Sequence, residues 1–125
     1  MNWQFDGNLP IYTQIVYKYR LAIASGELKP GEKLAAVRDI AFQAGVNPNT
    51  MQRAFQELER LGLVFTQRSS GRSVTEDMDV ISETREKLAE EFVSGFLKSM
   101  SDLGLGREQI IEMIKEEREE NNGNS

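Results

Sequence analysis

The stretch from Val37 to Leu61, VRDIAFQAGVNPNTMQRAFQELERL, constrains the fold most, because its pattern predicts two helices joined by a tight turn. Apolar residues recur at helical spacing in both halves. Gly45, between them, favours the left-handed backbone that ends a helix. Asn47 is suited to cap the second helix, and Pro48 to its first position, where a missing N–H costs nothing. This order is typical of a helix-turn-helix.

The polar face of the second predicted helix carries side chains suited to DNA. Helical geometry places the polar residues of this face, at positions 49, 52, 53, 56 and 60, within about a third of a turn of one another. Amide and guanidinium groups pair bidentately with adenine and guanine edges in the major groove. The sequence therefore predicts a DNA-reading helix with Asn49, Gln52 and Arg53 at its front, whereas Gln56 and Arg60 lie further along and are expected to face solvent.

A β-hairpin is predicted directly after this helix. Residues 63–66 form a β-prone run, residues 67–71 are polar with a glycine, and residues 72–75 are suited to the returning strand. A hairpin in this place is a wing, and its tip is expected near the phosphate backbone or the minor groove. Arg68 and Arg72 flank the tip and are candidate DNA contacts.

The net charge of −5 argues at first against a nucleic-acid partner. However, residues 1–75 contain 9 Lys and Arg against 6 Asp and Glu, whereas residues 76–125 contain 6 against 14. The acidity belongs to the second part of the chain, and the helix-turn-helix lies in the mildly basic part. The whole-chain charge is therefore compatible with DNA binding.

From Asp79 onward the pattern is again helical, with apolar residues at steps of seven, four, four, four and three. That stripe is broad for a helix standing alone, and a small winged domain offers little to cover it. We expect a subunit interface here, with ordinary packing within the chain as the alternative. The predicted interface residues are Ile81, Leu88, Phe92, Phe96, Met100 and Leu103.

The expected fold class is therefore mainly α with a small β-hairpin. A winged helix-turn-helix DNA-binding domain is predicted over residues 1–76 and a helical dimerisation region over residues 77–120. The last five residues, 121–125, are polar and are expected to form a disordered tail.

Several functional classes are disfavoured by composition. The chain has no Cys and no His, so we expect no disulfide framework and no soft-ligand metal site. No cofactor is expected. It has neither a phosphate-cradling glycine motif nor a recognisable catalytic constellation, so no enzyme is expected. No apolar run approaches the roughly 20 residues of a membrane span, and the N-terminus lacks signal-peptide features. A cytoplasmic protein is the simplest expectation.

The order of a PGEKL turn, a VRDIA helix, VNPNTMQRAFQELERLGLV and a glycine-bearing wing closely resembles the winged-helix domain of GntR-family bacterial transcription regulators. The resemblance covers roughly residues 9–75, and its motifs fall in the family's order and spacing. The short helical tail looks like that of the YtrA-type subgroup, which implies dimerisation through the tail. By this resemblance, the positions used on DNA are Arg38, Asn47, Asn49, Thr50, Gln52, Arg53 and Gly71.

Two departures from the family pattern are visible. Ala35 and Ala36 stand where the family usually has Pro-Ser, so the second helix of the domain should lack a side-chain cap. Gly71-Arg72-Ser73-Val74 replaces the usual Gly-Thr-Phe-Val, and the wing therefore loses an aromatic residue that would stiffen it.

The leading functional hypothesis is a homodimeric repressor that binds a pseudo-palindromic double-stranded DNA operator. The resemblance implies an operator near the regulator's own operon, which in this subgroup often encodes an ABC transporter. The alternative is a winged-helix protein–protein interaction module without sequence-specific DNA binding. A small-molecule effector of unknown identity stays open.

Overall fold

The computed structural model describes the backbone of residues 1–124 and the side chains of residues 1–117. It is mostly helical with a two-stranded antiparallel hairpin, which confirms the expected fold class. In chain order its elements are α1 (Ile11–Ser25), α2 (Val37–Ala44), α3 (Pro48–Arg60), β1 (Val64–Gln67), β2 (Gly71–Val74), α4 (Met78–Asp102) and α5 (Arg107–Asn124).

The chain forms two compact units, residues 1–87 and residues 88–125. The core of the first unit is built on Phe55 of α3, which is completely buried. Apolar faces of α1, α2 and α3 pack with residues of the hairpin and the first turn of α4, because each helix has one apolar side to remove from water. The core includes Ile15, Tyr19, Ile23, Ile40, Met51, Leu58, Leu63, Val74 and Ile81.

The N-terminal residues form an arm that packs aromatic rings on this core. The rings of Trp3 and Phe5 stack with centroids 6.2 Å apart, and Trp3 lies 6.0 Å from Tyr19. Tyr19 in turn meets the edge of Phe55 at 5.0 Å. Burial raises the pKa of Tyr19 to about 12, because the charged phenolate loses its hydration there.

The turn between α2 and α3 has the predicted chemistry. Gly45 has a φ of 68°, in the left-handed region that ends α2. The Asn47 side-chain oxygen accepts a hydrogen bond from the Asn49 backbone N–H at 2.8 Å, and Pro48 occupies the first helical position. The start of α2, at Ala36, has no side-chain cap, as expected.

The hairpin pairs Val64 with Val74 and Gln67 with Gly71. The outer edge of β2 is backed by the segment from Gly31 to Leu34. Leu34 N–H donates to the Arg72 carbonyl at 2.9 Å, and Gly31 N–H donates to the Val74 carbonyl at 3.0 Å. β2 is therefore flanked on both sides, whereas β1 is an edge.

In the second unit, the later part of α4 is followed by a turn at Gly104, whose φ is 80°, and then by α5. The backbone is helical to Asn124. The expected disordered tail, residues 121–125, therefore falls on this last part of α5, where only the backbone is described, and on residue 125, which lies outside the described residues. None of the helices within the described residues is long and apolar enough to cross a membrane.

Candidate nucleic-acid interface

The front of α3 is exposed while its back is buried. Met51, Ala54, Phe55 and Leu58 face the core and are fully buried. The opposite side presents Asn49, Arg53 and Gln56 to solvent, with Gln52 half-buried beside them. Thr50 is also half-buried. The amide- and guanidinium-rich front expected from the sequence is therefore accessible along the first turns of the helix.

Arg53 has a defined place at this front. Its guanidinium carbon lies 3.7 Å from the centroid of the Tyr12 ring in α1, which is a close cation–π stack. Within the described part of the chain, no carboxylate lies within ion-pair distance of Arg53. The stack leaves the N–H groups around the guanidinium edge available to acceptors, because a stacked guanidinium donates in its own plane.

Arg38 lies in the first turn of α2 and is exposed, without an ion-pair partner among the described side chains. Phe42, one turn later, is 89% exposed, the highest value among the large apolar residues described. Residues four apart share a helix face. Arg38 is therefore accessible to a partner, and an exposed aromatic residue lies beside it on the same helix face.

The tip of the wing is a tight turn from Gln67 to Ser70. Ser70 N–H donates to the Gln67 carbonyl at 3.3 Å, and the Ser70 hydroxyl donates to the Gln67 side-chain oxygen at 2.6 Å. Gly71 follows with a φ of 80°, a backbone conformation that residues with a side chain rarely adopt. Arg68 is exposed in this turn and forms no ion pair with the side chains described.

Arg72 differs from the other candidate DNA contacts. Its Nε donates to the Glu59 carboxylate at 2.6 Å, and its side chain is only 20% exposed. Its guanidinium carbon lies 5.6 Å from the Phe55 ring centroid. Arg72 was expected to be free to contact a DNA phosphate. Its guanidinium is instead engaged by Glu59 within the chain, and this contact competes with a phosphate contact.

The predicted interface residues of the tail divide into two groups. Ile81 and Leu88 are each 3% exposed, and Ile81 belongs to the core of the first unit. These two offer almost no surface to a partner, so the expectation that Ile81 lies outside the cover of the winged domain is wrong. The exposed group comprises Phe92 at 51%, Phe96 at 43% and Leu103 at 75%, with Met100 half-buried.

Two residues at the candidate interface were not singled out by sequence reasoning. Tyr12, in α1, is half-buried and stacks on Arg53. Glu59 carried no prediction, although it holds both strands of the wing. The register of the hairpin creates that contact across 13 positions, and no local pattern reveals it.

The arrangement of α2, α3 and the hairpin defines a winged helix-turn-helix domain, the class of DNA-binding fold whose second helix enters the major groove. The family model of "Bacterial regulatory proteins, gntR family" matches residues 11–74. The chain belongs to the GntR family, whose members are transcription regulators and not enzymes.

Relatives extend this similarity over the tail. The HTH-type transcriptional regulator YhcF of Bacillus subtilis (strain 168) is 44% identical, over 92% of this chain and 95% of YhcF. The HTH-type transcriptional repressor YtrA of the same organism is 33% identical, over 86% of this chain and 83% of YtrA. The likeness to the YtrA-type subgroup is thereby confirmed.

Solved structures agree with the fold. A GntR family transcriptional regulator from Listeria monocytogenes has a TM-score of 0.82 and 38% identity, covering 90% of this chain and 98% of that one. AraR(DBD) in complex with operator ORX1 has a TM-score of 0.53 and 26% identity, covering 58% of this chain and 93% of that one. The second comparison is of a related winged domain bound to DNA.

Proposed function

We propose that this protein is a homodimeric, sequence-specific transcription repressor that acts in the cytoplasm on a pseudo-palindromic operator. The observation that carries the proposal is the exposed front of α3, where Asn49, Gln52 and Arg53 stand together at the capped start of the helix. These are the side chains that read adenine and guanine in the major groove. Arg38 and Arg68 supply phosphate contacts that set the orientation of the domain.

Dimerisation is supported by the exposed apolar residues of α4. Phe92 and Phe96 lie on one helix face, four residues apart, and are 51% and 43% exposed; Leu103, in the turn directly after the helix, is 75% exposed. Half-exposed phenylalanines clustered on a helix are costly in water and typical of an interface. Because one recognition helix reads only a few base pairs, two copies are needed to select an operator in a genome.

Repression follows from occupancy, since a dimer bound at a promoter excludes RNA polymerase. The name of YtrA, a repressor, supports this direction. Control of an ABC-transporter operon is included in the proposal on the strength of the family resemblance. Mapping the protein's binding sites across its own genome tests that part, and sites confined to other genes would reject it.

The DNA-binding part is tested by selecting duplexes from a random pool with the intact protein, then measuring affinity for the selected duplex and a scrambled copy. We expect a symmetric consensus, discrimination on the order of 10³-fold or more and a steep loss of affinity with salt. Equal binding to both duplexes would favour the alternative of a protein–protein interaction module. That alternative has little support at α3, because protein-binding helices usually present apolar anchors.

A further inference from the structure

The two strands of the wing and the last turn of α3 meet at one carboxylate, that of Glu59. Its Oε1 accepts a hydrogen bond from the Thr66 hydroxyl at 2.6 Å and another from Arg72 Nε at 2.6 Å. Thr66 and Arg72 are direct cross-strand partners in the hairpin. A single oxygen on the recognition helix therefore receives one donor from each strand of the wing.

The environment favours this contact. Arg72 is largely withdrawn from water over the Phe55 ring, and hydrogen bonds between charged groups are stronger where water is partly excluded. The hydrogen bond from Thr66, and then that from Arg72, lowers the pKa of Glu59 below its ordinary value. The carboxylate is therefore ionised at neutral pH and pairs with the guanidinium.

The wing needs such an anchor because its own structure is small. An isolated two-stranded hairpin is marginally stable in water. The backbone of β2 is held by the segment from Gly31 to Leu34, but β1 is an edge, exposed from Phe65 to Gln67. Thr66 lies two residues before Arg68, so its hydrogen bond to Glu59 fixes β1 to the recognition helix at a point close to the tip of the wing.

We propose that Glu59 is a positioning residue, whose carboxylate ties both strands of the wing to the recognition helix and thereby fixes where Arg68 meets the phosphate backbone. Arg72 then acts within the chain and not as a phosphate ligand. The inference rests on the DNA-binding function proposed above. In this chain the ion pair between Arg72 and the recognition helix replaces the stiffness that the family's aromatic residue would give the wing.

The first test uses the free protein. Glu59→Ala is compared with Glu57→Ala, a matched control on the same helix, because Glu57 pairs with Arg60 and not with the wing. Nuclear magnetic resonance relaxation should show increased motion of the amides from Thr66 to Arg72 in Glu59→Ala only. The Arg72 Nε–H should also exchange faster with solvent. Unchanged wing motion in Glu59→Ala would overturn the proposal.

The second test is a double-mutant cycle on DNA, read from the slope of log affinity against log salt concentration. Arg68→Ala should reduce that slope by about 0.9, the value for one phosphate contact, in the wild type and in Glu57→Ala. In Glu59→Ala the same change should have less than half of this effect, because a displaced wing no longer presents Arg68 to phosphate. Any general gain from removing a negative charge cancels within the cycle.

The outcomes separate this inference from the proposed function. A full effect of Arg68→Ala in the Glu59→Ala background shows that the wing is positioned without the carboxylate. No effect in the wild type shows that the tip does not contact phosphate, and either result rejects the inference while operator discrimination stays intact. Loss of discrimination in the wild type rejects the function instead. Should Glu59→Ala fold poorly, Glu59→Gln keeps an acceptor oxygen and should give a smaller change in the same direction.

Discussion

The replacement of Arg53 by Ala and by Lys tests the base-reading role of α3. The guanidinium is exposed, stacked 3.7 Å from the Tyr12 ring centroid and without a carboxylate partner among the described residues. The side chain is therefore partly ordered before DNA arrives, which lowers the entropy cost of a bidentate contact. Its N–H groups exchange water for a guanine edge without first breaking an ion pair.

The expected magnitude follows from this geometry. A bidentate guanine contact gives about 1–3 kcal/mol of discrimination, so Arg53→Ala should lower the preference for the selected duplex by roughly 5- to 150-fold. Arg53→Lys keeps the charge but loses the planar fork, so it should lose most of the discrimination and retain the salt dependence. Loss of the exposed stack on Tyr12 should cost about 0.5–1 kcal/mol of folding stability in Arg53→Ala.

The measurement is competition between the selected duplex and copies substituted one base pair at a time. A loss confined to one position of each half-site identifies the base that Arg53 reads. Tyr12→Leu removes the ring and should give a smaller loss at that same position, whereas Tyr12→Phe keeps the ring and should behave as the wild type. If Arg53→Ala weakens binding to all duplexes equally, the residue contacts phosphate and the base-reading role is refuted.

Three further predictions concern the tail, the core and the helix cap. The double variant Phe92→Glu, Phe96→Glu should sediment as a monomer in sedimentation velocity and should bind the operator far more weakly. The control Phe42→Glu, which changes an exposed phenylalanine of the first unit, should leave the dimer intact. If the double variant is still a dimer, the interface lies elsewhere. Burial raises the pKa of Tyr19 from 10.0 to about 12, so the neutral phenol contributes its full share to the free energy of unfolding below about pH 10. That contribution should fall as the pH rises towards 12. Tyr19→Phe should remove this alkaline dependence of the unfolding free energy, measured by chemical denaturation. Asn47→Ala should cost about 1 kcal/mol of unfolding free energy in the same assay, and an unchanged value would mean that the bond to the Asn49 N–H does not stabilise α3.

Much of the first unit was predictable because its signals are local. Gly45, Asn47 and Pro48 act within a single turn, and their geometry depends on immediate neighbours only. The apolar face of α3 follows from the helical period, since every fourth or third residue must meet the core. The β-prone run at residues 63–66 and the polar turn with its glycine at position 71 likewise placed the hairpin within one or two residues of its observed bounds.

The helical period could not divide the long stripe of α4. Ile81 and Phe92 fit one continuous pattern, but Ile81 is enclosed in the core of the first unit and Phe92 is half exposed. A periodic pattern states which residues share a helix face and does not state which protein surface meets that face. The candidate interface therefore had to be narrowed to residues from Phe92 onward by burial alone.

Arg72 shows most sharply how a departure from a family pattern has to be interpreted. From the sequence, a charged residue after the wing glycine suggested an added phosphate contact and a loosened hairpin. Those two expectations are linked, because a guanidinium free to reach DNA cannot also brace the hairpin. The hydrogen bond from Arg72 to Glu59 and the contact of its guanidinium with the Phe55 ring favour bracing of the hairpin over DNA contact. The second hydrogen bond to Glu59, from the Thr66 hydroxyl, favours it too. The consequence is that the positive charge of Arg72 is balanced within the chain, and Arg68 is left as the arginine of the wing that is free to meet phosphate.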